Sequence, residues 1–183
     1  MILGAGARLA PSLARVIGRI VSVDPTEPAL EEIGGEAGGT QLAAVVPIAV
    51  DLTEFVLARE SVDLVVSSYV LHHLHNAEKK AIVNGARRWL RPGGRLVVGD
   101  MMFQRGSSPG DQGIVRTKLR ILEDERPGRT WQHLRTITKF GYHLATSSAA
   151  PPEFWITAFR DAGFHNVGHT QVSSEAGVVW GQI

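Results

Sequence analysis

Apolar positions along the chain fall into two alternating kinds of segment. Residues 20–23, 42–50, 62–67 and 95–99 are short runs rich in Val, Ile and Leu. The near-continuous runs at 62–67 and 95–99 suit strands buried on both faces of a parallel sheet. Between the runs the period changes to that of a helix. Leu9, Leu13, Val16 and Ile17 form one stripe, with Pro11 in the first turn, where a missing N–H is tolerated, and Gly18 as the stop. Ala77, Ala81, Ile82, Ala86, Trp89 and Leu90 form another, with Lys79, Lys80, Arg87 and Arg88 largely outside it. Asn76 is a good N-cap for that helix, and Arg91-Pro92-Gly93-Gly94 breaks it. A short helix is expected at 28–33, before the loose glycine-rich stretch 34–39.

The end of the chain repeats the alternation. Pro151-Pro152 opens a helix that turns Phe154, Trp155, Ala158, Phe159 and Ala162 inward, and Gly163 follows as its cap. Residues 165–172 and 177–183 then read as two strands joined by a short loop. Strands alternating with helices predict an α/β sheet with right-handed crossovers in a single domain, 1–183. Residues 104–150 depart from the alternation. Two helices, near 114–123 and 131–140, sit among turn-rich pieces, and the segment is expected to be a helical insertion packed over the strand ends as a lid.

Composition narrows the classes. The chain has 183 residues, 44% hydrophobic and 20% charged, with a formal net charge of +1 and no cysteine. That balance speaks against an obligate nucleic-acid binder. Without cysteine there is no disulfide, zinc–thiolate site or thiol nucleophile. No apolar run approaches the roughly 20 residues of a membrane span. The N-terminus lacks the regions of a signal peptide, so cytoplasmic is the default location.

Candidate chemistry starts at Leu3-Gly4-Ala5-Gly6-Ala7-Arg8, followed by helix, strand and Asp24. Strand, glycine turn, helix, strand, acid is the opening of a nucleotide-binding βαβ unit. Glycine lets the backbone approach a ligand, and the helix N-terminus offers free N–H groups. The dinucleotide fingerprint G-x-G-x-x-G would need a third glycine at position 9, where Leu9 stands. An NAD-dependent oxidoreductase is therefore the weaker reading.

The block Val62-Asp63-Leu64-Val65-Val66-Ser67-Ser68-Tyr69-Val70-Leu71-His72-His73-Leu74, with Trp89-Leu90-Arg91-Pro92-Gly93-Gly94-Arg95-Leu96-Val97-Val98, resembles the class I S-adenosylmethionine-dependent methyltransferases, in their small-molecule branch. The tail Phe159-Arg160-Asp161-Ala162-Gly163-Phe164 and its two strands resemble the same family. The resemblance implies a Rossmann-like, doubly wound, mostly parallel seven-stranded sheet with an antiparallel C-terminal strand. It implies S-adenosylmethionine as cofactor and a small-molecule O, N or C nucleophile as methyl acceptor. By matched position, Gly4, Ala5 and Gly6 would line the methionine part of the cofactor. Asp24 would accept from the ribose hydroxyls, two adjacent donors suited to a carboxylate. Asp51 and Leu52 would sit beside the adenine, and Ser67 and Ser68 would flank the reactive end. The family pattern also has an acid where Ile2 stands, a glycine where Arg8 stands, and a helix before the first strand. Those differences keep a second reading in view, a methyltransferase-like binding or partner module. They also raise a truncated start, or a cover supplied by a second copy in a homodimer.

Each residue has a plainer reading. Asp24, before Pro25, and Asp51, before Thr53-Glu54, could serve as turn or cap acids. Adjacent histidines seldom face one ion, so His72, His73 and His75 predict no metal site. His72 and His73 are general-base candidates, because their segment follows the strand end where the acceptor should sit. The basic residues of the insertion, Arg116 to Lys139, read as a solvated face. Tyr142 and His143 are weaker candidates for substrate contact.

Overall fold

The computed structural model describes residues 1–4, 18–26, 44–103, 148–173 and 175–183. The helices expected at 9–17 and 28–33, the stretch 34–39, Ala5, Gly6, Arg8, Tyr142, His143 and the insertion up to residue 147 lie outside these. Among the described residues, seven strands form one sheet in the order β3-β2-β1-β4-β5-β7-β6. They are β1 (Ile2–Leu3), β2 (Arg19–Asp24), β3 (Ala44–Ala49), β4 (Val62–Ser68), β5 (Leu90–Met101), β6 (His165–Gln171) and β7 (Ala176–Gln182). Pairing is parallel from β3 through β5. β7 runs antiparallel to both β5 and β6. The α/β class is as the strand–helix alternation predicts, and the seven strands with an antiparallel C-terminal strand are as the family resemblance implies.

Helices α1 (Asn76–Trp89) and α2 (Pro152–Asp161) supply much of the core. Trp155 and Phe159 of α2 are fully buried and Ala158 nearly so. Truncating an aromatic at such a position costs about 3–5 kcal/mol. The Phe159 and Phe164 rings lie 5.1 Å apart, across the turn made by Gly163 at φ +86°. From α1, Ile82, Val83, Ala86 and Trp89 enter the same core.

Four local expectations are corrected. The N-cap of α1 is His75, with Asn76 the first helical residue, because the Glu78 carboxylate takes the His75 backbone N–H at 2.6 Å. The helix ends at Trp89 rather than in the Pro-Gly-Gly turn. Leu90 is already in β5, paired with Val62, and residues 91–94 loop out before Arg95 meets Leu64. Lys79 is buried, while Ala77 and Ala81 are exposed. Finally, β4 and β5 are not buried on both faces. Val65, Ser67, Leu96 and Val98 are fully buried, whereas Val66, Ser68, Val97 and Gly99 on the other face are half-buried. That face carries a cavity of about 220 Å³. Among the described residues no helix is long and apolar enough to cross a membrane.

Candidate functional site

The chain passes from β1 to β2 and β3 on one side, then crosses to β4 on the other. The strand order therefore reverses between β1 and β4, and their carboxyl ends open the crevice where sheets of this kind bind ligands. Leu3 pairs with Val23 on one side and Ser67 on the other. Gly4 thus leaves the sheet level with Asp24 and Ser68.

Gly4 is buried, at φ +85°, and its N–H donates to the Val23 carbonyl at 2.8 Å. A Cβ added there would lie 2.7 Å from the Val70 Cβ, closer than any real contact. Both conditions select glycine. Val70 therefore fills the space that a side chain at this turn would occupy.

The next two strand ends carry acids. Asp24 is 6% exposed, and its Oδ1 accepts from the Thr26 N–H at 2.8 Å and the Thr26 hydroxyl at 2.5 Å. Asp51 repeats the device with Thr53, at 2.8 and 2.6 Å, but is exposed. The hydroxyl and N–H of Thr53 hold the Asp51 carboxyl below the usual carboxylate range. The turn-acid reading of both aspartates is thus realised, and in each it occupies one oxygen. Leu52 is buried in the hydrophobic core. Ser67 and Ser68 alternate across the sheet. Ser67 Oγ is buried with no hydrogen-bond partner among the described residues, while half-buried Ser68 borders the 220 Å³ cavity with Val66, Tyr69, Val97 and Val178.

Beyond β4, Tyr69 turns the chain with φ +51°, and its N–H donates to the Gly99 carbonyl. A single 3-10 turn follows at Leu71–His73. His72 is 2% exposed. Its Nδ1 lies 2.6 Å from Asp100 Oδ1, and its backbone N–H donates to Asp100 Oδ2 at 3.1 Å. Asp100, fully buried near the end of β5, also accepts the Met101 N–H at 2.7 Å. His73 is exposed, with its ring centroid 4.0 Å from that of His72.

Lys79 lies beside this pair. Its Nζ donates to Asn76 Oδ1 at 3.2 Å and to the Ser148 carbonyl. The Ser148 N–H donates back to the His72 carbonyl at 2.5 Å. Burial lowers the Lys79 pKa, and the charges of Asp100 and Glu78 oppose that shift. Thus Gly4, Asp24, Asp51, Ser67 and Ser68 share the carboxyl edge of neighbouring strands, and His72 and His73 follow directly from it. Asp100 and Lys79 are the polar residues sequence reasoning passed over. Asp100 directly follows the apolar run 95–99, and Lys79 reads in the sequence only as part of a charged helix face.

This edge defines a class, a doubly wound α/β protein with its ligand crevice at a strand-order reversal. Residues 2–98 match a family model described as a methyltransferase domain. That match covers more than half of the chain, and the chain belongs to this family, the class I S-adenosylmethionine-dependent methyltransferases. It is 28% identical over 110 residues to phosphoethanolamine N-methyltransferase 1 of Triticum aestivum, covering 58% of this chain and 22% of that protein. It is 29% identical over 110 residues to an uncharacterized methyltransferase of Geobacillus kaustophilus, covering 58% and 47%. The chain thus spans less than half the length of these two relatives. Among solved structures it is similar to the S-adenosylmethionine-dependent methyltransferase SibL, with a TM-score of 0.64 and 22% identity, covering 99% of this chain and 49% of that one. PigF with S-adenosylhomocysteine gives a TM-score of 0.64 at 15% identity, covering 99% and 48%. These two likenesses concern the fold alone.

Proposed function

We propose that the protein transfers a methyl group from S-adenosylmethionine to a nucleophilic atom of a small molecule. The observation that carries this is the β1–β4 crevice. It has a glycine whose Cβ would collide with Val70, beside a buried aspartate with one oxygen tied and the other without a hydrogen bond among the described residues. The arrangement fits an adenosine-type ligand. Asp24 Oδ2 is the acceptor for a ribose hydroxyl, and the Thr26 bonds fix the carboxylate that presents it. Gly4 lines the methionine part. Asp51 flanks the adenine, with Leu52 behind it in the hydrophobic core, and the end of β4 at Ser67 and Ser68 flanks the reactive end.

When bound, the cofactor supplies an electrophilic methyl with a neutral thioether as leaving group. The protein's share is to hold an acceptor in line with it and to exclude water. His72, or His73 beside it, removes a proton where the acceptor arrives protonated. Kinship with phosphoethanolamine N-methyltransferases makes an amine one acceptor worth testing, and a phenol is the oxygen counterpart.

The test is calorimetric titration with S-adenosylhomocysteine, paired with methyl-labelled S-adenosylmethionine and a panel of phenol, ethanolamine and phosphoethanolamine. One-site binding and label transfer to a panel member are expected. Absence of binding would overturn the reading. Binding without transfer to any acceptor would favour a non-catalytic module, the reading that Ile2 and Arg8 keep in view.

A further inference from the structure

We propose that the cavity on the half-buried face of β4, β5 and β7 is the methyl-acceptor subsite, and that it takes a single uncharged aromatic ring of the phenol class. Its use as an acceptor site rests on the function proposed above, whereas its fit to a ring follows from its own size and lining. The cavity measures about 220 Å³. An apolar cavity of about 150 Å³ holds benzene, and pockets for drug-sized ligands begin at about 300 Å³, so the volume suits one substituted ring. Val66, Val97, Val172 and Val178 supply apolar walls, Tyr69 an aromatic one and Ser68 a hydroxyl. Among the described residues that line it there is no Asp, Glu, Lys or Arg. A phosphate or an ammonium would shed its water there without meeting a countercharge.

Two features of the backbone point to a ligand here. Gly99 lies inside β5 and has no left-handed φ. A Cβ there would meet Val178 Cγ2 at 3.7 Å and the Ser67 carbonyl at 4.0 Å, both ordinary contacts. Neither conformation nor packing asks for glycine, and glycine weakens a strand. What a side chain at Gly99 would take is room in the cavity, as expected where a ligand approaches the sheet closely. Gly177 of β7 is the contrast, since a Cβ there would lie 2.8 Å from His169 Nε2 and 3.0 Å from Met102 Sδ. Tyr69 is the second feature. An aromatic residue at φ +51° is strained, and its N–H is pinned to the Gly99 carbonyl at 2.9 Å. Its side chain borders the cavity at 56% exposure. Leu3 pairs with Ser67, and Ser68 with Gly99, so β4 alone separates the floor of the cavity from the Gly4 turn. In transfer, the phenol O–H bond breaks and its proton leaves to solvent. The oxygen's electron pair forms the bond to the methyl, and the thioether departs with the electrons of the broken S–C bond.

Fluorine-19 NMR titration with 4-fluorophenol reads the subsite without any methyl transfer. Saturable binding to the native chain is expected, with no displacement by phosphoethanolamine. Gly99→Val, folded by circular dichroism, should weaken that binding by about tenfold or more because its side chain fills the cavity. Should valine prevent folding, Gly99→Ala decides, since its Cβ fits at ordinary contact distance. It should weaken binding by a smaller factor, with an unfolding temperature equal to or above the native one. No binding to the native chain, native-like binding in the deciding variant, or displacement by phosphoethanolamine would overturn the proposal. With methyl-labelled S-adenosylmethionine, phenol should receive label and phosphoethanolamine should not. Label on phosphoethanolamine alone would overturn the acceptor class. If the native chain fails to bind S-adenosylhomocysteine, the functional reading falls, and the 4-fluorophenol titration still decides whether the cavity takes a ring.

Discussion

At the ends of β2 and β3, each acid is held by a threonine two residues further on. At the ends of β4 and β5, a histidine is held by an acid 28 residues away, and a lysine donates across 69 residues. Both regions lie on one edge of one sheet. The first is wired locally, by turns that form whenever the strand ends correctly. The second exists only once the sheet, α1 and the returning chain at Ser148 have come together. Local wiring suits a cofactor site whose shape is set before other parts dock. Long-range wiring buries three polar side chains, and its worth depends on all of them being satisfied.

The largest expected effect falls on the long-range side. Asp100→Ala strands the His72 ring, the His72 N–H and the Met101 N–H in a buried site. A loss of about 3–5 kcal/mol is expected in urea unfolding. A loss under about 1 kcal/mol would show that the pair is not closed in solution.

Gly4→Ala strikes where the two regions touch, since Val70 belongs to the segment after β4. The positive φ and the 2.7 Å contact predict a loss of about 1–3 kcal/mol together with weaker S-adenosylhomocysteine binding. If stability fell and affinity did not, Gly4 would be a packing glycine only.

On the local side, Asp24→Ala should weaken S-adenosylhomocysteine by about 10–100-fold, the worth of one or two hydrogen bonds to a charged group. Thr26→Ala removes only the carboxylate's support. It should cost about 0.5–1.5 kcal/mol of stability and a smaller loss of affinity. Equal affinity losses in the two variants would make the whole turn, rather than the carboxylate, the binding unit.

Two pH effects are smaller. Burial holds the Lys79 pKa below its ordinary 10.5. The unfolded chain then binds more protons between the two values, so stability rises with pH across that alkaline window. Relative to Lys79→Met, the native chain should gain stability on approaching pH 10.5 and show a flat difference near neutrality. For Asp51 the sign is opposite, its carboxyl being held below the ordinary 3.8. Its contribution is present above 3.8 and is lost as pH falls through the folded value. Asp51→Asn should therefore differ from the native chain near neutrality and converge with it in acid, measured by unfolding at each pH.

The same contrast explains what the sequence made legible. Strands β2 to β5 showed as apolar runs, and α2 showed through Pro152, Trp155, Phe159 and Gly163, because those signals are local. Asp24 and Asp51 were legible with their plainer turn roles, since Thr26 and Thr53 stand two residues on. Lys79 was misplaced because a helical face predicts which side meets the sheet, not whether a distant carbonyl will receive an ammonium there. Asp100 was passed over for a related reason. Its partner is fixed by β4 and β5 lying side by side, with Ser68 opposite Gly99. The early start of β5 at Leu90 was hidden by a Pro-Gly-Gly sequence that reads as a plain turn.

The central claim is that the carboxyl edge between β1 and β4 holds S-adenosylmethionine with Asp24 on its ribose. A crystal structure of the chain with S-adenosylhomocysteine tests this directly. The account predicts the ligand in that crevice, its ribose hydroxyls within hydrogen-bond distance of the Asp24 carboxylate and its chain passing over Gly4. A ligand bound elsewhere, or a ribose with no contact to Asp24, would contradict it.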